Sequence, residues 1–186
     1  SIIHDIESIF LFLECLQSTG DNYVKSVCLY SIKNMVILYR DDLSIESQQT
    51  LFNAITSLIP EEANDSTRDI MGEFITYLKI DPEFSSSIQA TQFSASLIES
   101  KQDPLISTAF YIIYHSFNHL PEDHQQMIFH LIYPIAVEHL MNPYFNCRYN
   151  SLTLLDFLIS KDDNFDIKNS EEFLPINQQL TAAILQ

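Results

Sequence analysis

Five histidines, His115, His119, His124, His130 and His139, fall between residues 115 and 139, the densest gathering of chemically capable side chains in the chain. His115 and His119 are four residues apart, a spacing that puts two imidazoles on one side of a helix. With Glu122, Asp123 or His124 across the following turn they have the makings of a transition-metal site. Against that, no glutamate follows His115 as a zinc protease requires, and Phe110, Ile113 and Phe117 give the segment the look of a packing helix. The histidines are read as surface or half-buried groups, with no metal and no other cofactor expected. Their titration near neutrality suits a pH-sensitive partner contact.

Other reactive groups are as sparse. The pairs Asp41-Asp42, Glu61-Glu62, Glu122-Asp123, Asp162-Asp163 and Glu171-Glu172 sit at turns or helix starts, where carboxylates take exposed N–H groups and suit the dipole. There is no G-x-S-x-G elbow, and two glycines in 186 residues leave no material for a phosphate-cradling loop. An enzyme is not expected. Cys15, Cys28 and Cys147 have no C-x-x-C spacing and read as reduced, buried side chains, which points to cytoplasm or nucleus. The longest apolar run, Ile9 to Leu13, is far too short to span a bilayer and has no basic segment before it. Twenty-five acids against nine bases, a formal charge of −16, repel polyanions, so neither nucleic acid nor a membrane is the expected partner.

The elements that must position these residues are helices. Apolar residues recur at three- and four-residue spacing, as in Ile6, Ile9, Phe10, Leu13 and Leu16, or Leu51, Ile55, Leu58 and Ile59. Breaks at Gly20-Asp21-Asn22, Pro60, Asp81-Pro82, Pro104, Pro121 and Asn142-Pro143 divide the chain into nine helices. They are placed near 2–18, 22–39, 44–59, 65–79, 84–100, 104–119, 122–140, 143–160 and 170–185. Pro134 should kink the seventh. Each even-numbered helix carries a small residue near its middle (Cys28, Gly72, Ala109, Ser151) and an aliphatic one turn later (Ile32, Ile75, Ile113, Leu154 with Leu155). A small side chain lets a helix approach its hairpin partner closely, so the pattern predicts stacked hairpins of roughly 40 residues.

The stretch Cys28-Leu29-Tyr30-Ser31-Ile32-Lys33-Asn34-Met35 resembles the last helix of an armadillo repeat. The turn Asn142-Pro143, followed by Arg148 and Ser151-Leu152, resembles the second helix of a HEAT repeat. The resemblance implies an all-α superhelical solenoid of about four and a half hairpins over residues 1–186, a non-enzymatic scaffold binding a peptide or helix on its concave face. It implies that Asn34 holds a bound main chain, although the matching places of later hairpins carry Leu78, His115 and Phe157. The residues expected to bind are Lys33 and Asn34, then Tyr77, then Tyr111 and His115, then Tyr149 and Asp156, one group per hairpin. The stripes Tyr111, Tyr114, Phe117 and Tyr144, Phe145, Tyr149 otherwise read as core.

No Lys or Arg occurs between Lys101 and Arg148, so the third and fourth hairpins are the expected face for a basic or amphipathic protein partner. Two other functions fit the same residues: a spacer within a larger solenoid, and a small metal-dependent domain built on His115 and His119. A start without Met and an apolar end at Leu180 to Leu185 are expected of a fragment of a longer repeat protein, whose exposed terminal helices would allow a dimer.

Overall fold

A computed structural model describes residues 2–80 and 86–161. Among them are eight α-helices and no strand: α1 Ile2–Ser18, α2 Asn22–Tyr39, α3 Ile45–Leu58, α4 Asp65–Ile75, α5 Ser86–Glu99, α6 Asp103–Ser116, α7 Glu122–Glu138 and α8 Phe145–Ser160. The ninth expected helix, 170–185, lies outside the described residues, as do the carboxylate pairs Asp162-Asp163 and Glu171-Glu172.

Local chemistry sets the ends. Asp21 opens α2 by accepting from the Tyr23 and Val24 N–H groups, Ser44 opens α3 on the Ser47 N–H, and Asn64 opens α4 on the Thr67 N–H. Helices α3, α6 and α7 tighten into 3₁₀ turns, Ile59–Glu61, Phe117–His119 and His139–Met141. Helix α4 stops at Ile75 rather than running to 79, because Thr76 and Tyr77 turn back onto the carbonyls of Glu73 and Phe74. Lys101 takes the left-handed conformation, φ 56°, in the turn between α5 and α6 where glycine is the usual residue. Helix α7 runs through Pro134, which is exposed, as is His130, whose carbonyl loses its in-helix donor there.

The chain divides into two compact units, 1–93 and 94–186, the division falling within α5. In the first, α1 pairs with α2, α3 with α4, and α2 lies beside α4. Its core is built from Ile9, Leu13, Leu29, Ile32, Leu51, Ile55, Phe74 and Ile75, all buried. In the second, α8 packs on both α6 and α7 around Phe110, Phe117, Phe129, Ile132, Leu154 and Leu155. Ser107 meets Asn150 and Tyr114 meets Phe157, so α6 and α8 run parallel with a constant offset of 43 residues. The four small residues, Cys28, Gly72, Ala109 and Ser151, are all buried. Ser151 of α8 donates its hydroxyl to the Ala136 carbonyl of α7, the hairpin approach that a small side chain permits.

Candidate protein-interaction surface

Two turns, eighty residues apart, are built alike. In the turn before α4 the Glu62 side chain accepts from the Asn64 N–H at 2.8 Å, and its carbonyl accepts from the Arg68 guanidinium at 2.6 Å. In the turn before α8 the Asn142 side chain accepts from the Tyr144 N–H at 2.8 Å, and its carbonyl accepts from Arg148 at 2.7 Å. The same turn residue also reaches back to the preceding even-numbered helix: Glu62 pairs with Lys25 at 2.6 Å, and Asn142 donates to Asp103 at 2.7 Å. Each device thus ties a turn to the preceding even-numbered helix at a separation of 37 or 39 residues. Of its members, sequence reasoning had singled out the turn and Arg148; an arginine six residues past the turn residue in both places was the signal for Arg68.

Two of the residues expected to bind belong to one cluster. The Lys33 ammonium lies 2.5 Å from a Glu73 carboxylate oxygen and 5.5 Å from the Tyr77 ring centroid, and the Tyr77 hydroxyl donates to Glu73 at 3.0 Å. Burial, then the hydrogen bond and charge of Glu73, raise the Tyr77 pKa above its ordinary value. Lys33 and Tyr77 therefore staple α2 to α4 through Glu73, an acid that composition alone did not distinguish. Asn34, one residue on, is exposed on another side of α2. At the end of α2, Asp41 pairs with Lys79 at 2.8 Å, which lowers the Asp41 pKa. This acid pair closes a helix rather than opening one.

In the second unit Tyr111 and His115 come together, ring centroids 4.5 Å apart, with Tyr114 edge-on to His115 at 5.1 Å. His119 lies on the 3₁₀ turn after α6 and is exposed, so the four-residue spacing does not continue one helical face. His139 contacts the Ile135 carbonyl and Phe110, while His124 sits 3.1 Å from Asp123. That contact lowers the Asp123 pKa, so its stabilisation is present above the ordinary aspartate range and is lost as pH falls through the lowered value. Among the described residues no three His, Cys, Asp or Glu groups gather as a metal site would need.

Tyr149 and Asp156 are both exposed and lie seven residues apart on one side of α8, with Phe145 and Leu152 between and before them. Phe145 is 65% exposed and stacks on Tyr149, 60% exposed, at 6.3 Å, while Arg148 covers the Phe145 ring at 5.6 Å. Of the stripe whose spacing suggested core, Tyr144 packs against the cluster of the second unit, whereas Phe145 and Tyr149 face outward. Helix α2 has a comparable face: Tyr23, Val27, Tyr30, Ile37 and Leu38 are exposed. Its apolar residues cover both sides of the helix, which hides the exposed set in the periodicity.

The cysteines also divide. Cys15 is exposed, which corrects the expectation that all three are buried. Burial, with a hydrogen bond and charge from Cys15, pushes the Cys28 thiol up to about 11, and burial with the nearby Asp103 charge pushes Cys147 up to about 12. At neutral pH a thiol reagent is therefore expected to titrate Cys15 alone in the folded chain and all three cysteines after denaturation. Rapid native labelling of Cys147 would contradict this burial.

No protein-family model, curated protein or solved structure matches the chain. What stands is the class the structure defines: an all-helical protein over the described residues, with no described helix long and apolar enough to cross a membrane.

Proposed function

We propose that the chain is a non-enzymatic protein-interaction scaffold of the α-solenoid type, in which even-numbered helices present the binding surface. The observation that carries this is where exposed apolar surface lies. Eight of the thirteen large apolar side chains that are exposed among the described residues fall on two even-numbered helices, five on α2 and three on α8. Contiguous apolar surface of this kind marks interaction sites. The one-period links between hairpins and the side-by-side even-numbered helices within each unit support the solenoid part of the reading.

The same exposure suits a spacer whose faces are covered by further hairpins of its own polypeptide. Photo-cross-linking side chains at Tyr30 and Tyr149, with Glu14 as an exposed control, separate the two in a native lysate. A scaffold yields a defined adduct with a separate polypeptide at position 30 or 149 that is reproduced with that polypeptide purified. Adducts equal to the control, or none, overturn the reading.

A further inference from the structure

The exposed face of α2 specifies its occupant more closely than the scaffold reading requires. Tyr23, Val27, Tyr30, Asn34 and Ile37 follow one another at three- to four-residue steps, with Leu38 four past Asn34, and so share one side of the helix. Leu29, Ile32 and Val36 on the opposite side are fully buried in the core. The exposed set is 79%, 43% and 50% accessible at Tyr23, Val27 and Tyr30, and 51% and 70% at Ile37 and Leu38. It forms a ridge about 24 Å long.

Three features choose among occupants. An extended segment would bring unpaired main-chain N–H and C=O groups, and along this ridge Asn34 is the one side-chain amide to meet them; a helix arrives with those bonds already made. The charges are lopsided: Lys25 and Lys33 are taken by Glu62 and Glu73, and Asp41 by Lys79, which leaves Asp21 exposed at one end of the ridge and Asp42 at the other. A second copy fits badly for the same reason. Antiparallel pairing of two α2 helices sets Asp21 against Asp42, and each chain brings a formal charge of −16.

We propose that this face of α2 docks an amphipathic helix of a basic partner, with apolar side chains on the ridge and Lys or Arg near its ends against Asp21 and Asp42. The proposal rests on the scaffold reading and assigns the partner of one of its surfaces.

The test uses the full chain and a stapled helical peptide of about eighteen residues, apolar at the matching steps and lysine-ended, followed by fluorescence anisotropy. It is expected to bind, to weaken as salt rises, and to bind at least ~10-fold more tightly than the same peptide with glutamate ends. Tyr30→Ser with Leu38→Ser is expected to weaken it by ~10-fold or more, and Leu131→Ser on α7 to leave it unchanged. Asp21→Asn with Asp42→Asn keeps a helix-capping side chain at 21 and is expected to abolish the preference for lysine ends. No binding, equal binding of both peptides, or equal loss in the α7 control overturns the proposal. So does self-association in sedimentation that the Tyr30/Leu38 pair removes, since the occupant is then a second copy. A partner adduct at position 149 without one at 30 overturns this assignment and leaves the scaffold reading standing.

Discussion

Arg68→Ala is expected to cost the folded chain about 3 kcal/mol, the range for removing one partner of a buried ion pair. The Arg68 side chain is 3% exposed and serves two acceptors, the Glu62 carbonyl at 2.6 Å and the Asp65 carboxylate. Alanine leaves that carbonyl without its charged donor and Asp65 without its counter-ion, in a place where few waters can replace them. Asp65 is itself 26% exposed, which limits the loss on its side of the pair. Arg148 makes the matching contact before α8 from a half-exposed position, with bonds of 2.7 and 3.0 Å to the Asn142 and Pro143 carbonyls. Water can take over there, so Arg148→Ala should cost roughly 1 kcal/mol. Urea unfolding measures both; equal midpoint shifts would mean that the two turns owe nothing to burial of the guanidinium.

This pair of arginines also shows what a sequence can and cannot carry. The turn residues and the arginine six places on are visible at both positions. Which guanidinium is enclosed is not visible, because enclosure depends on how neighbouring helices close over it. Helix ends were legible where a capping side chain or proline punctuates the chain, as at Asp21 and Pro121. The end of α4 was not, since Leu78 and Ile80 are buried like helix residues although the chain has already turned at Thr76.

The candidate surface divides in the same way. Residue type identified Lys33 and Tyr77 as notable, but their meeting on Glu73 depends on the register of α2 against α4, which the packing of Leu29, Ile32, Phe74 and Ile75 decides. Twenty-five acids gave no means of selecting Glu73 in advance. A lysine already held by a carboxylate beside a tyrosine ring is a structural tie. In the proposed scaffold reading, recognition would fall to the neighbouring face that carries Asn34.

The largest single effect is expected in the second unit, where Phe110→Ala should destabilise by about 3–5 kcal/mol, the usual range for emptying a buried aromatic site. Residues 105 to 110 are buried without interruption, so α6 is enclosed through nearly two turns, and Phe110 is fully buried with its ring edge-on to His139 at 5.6 Å. The neighbouring Ala109 is already at zero exposure and cannot grow to fill the space. Cys147 belongs to the same cluster and offers a local readout, because a fully buried thiol, its pKa pushed up by that burial, reacts only when the cluster opens. If opening and closing are fast beside the labelling step, each 1.4 kcal/mol lost raises the rate about tenfold, so Cys147 should label about 100- to 4000-fold faster in Phe110→Ala. Phe110→Leu, which leaves less of the site empty, should show a much smaller acceleration. Unchanged Cys147 labelling alongside a large loss of global stability would show that Phe110 does not hold this cluster closed, and that its cost is borne elsewhere in the chain.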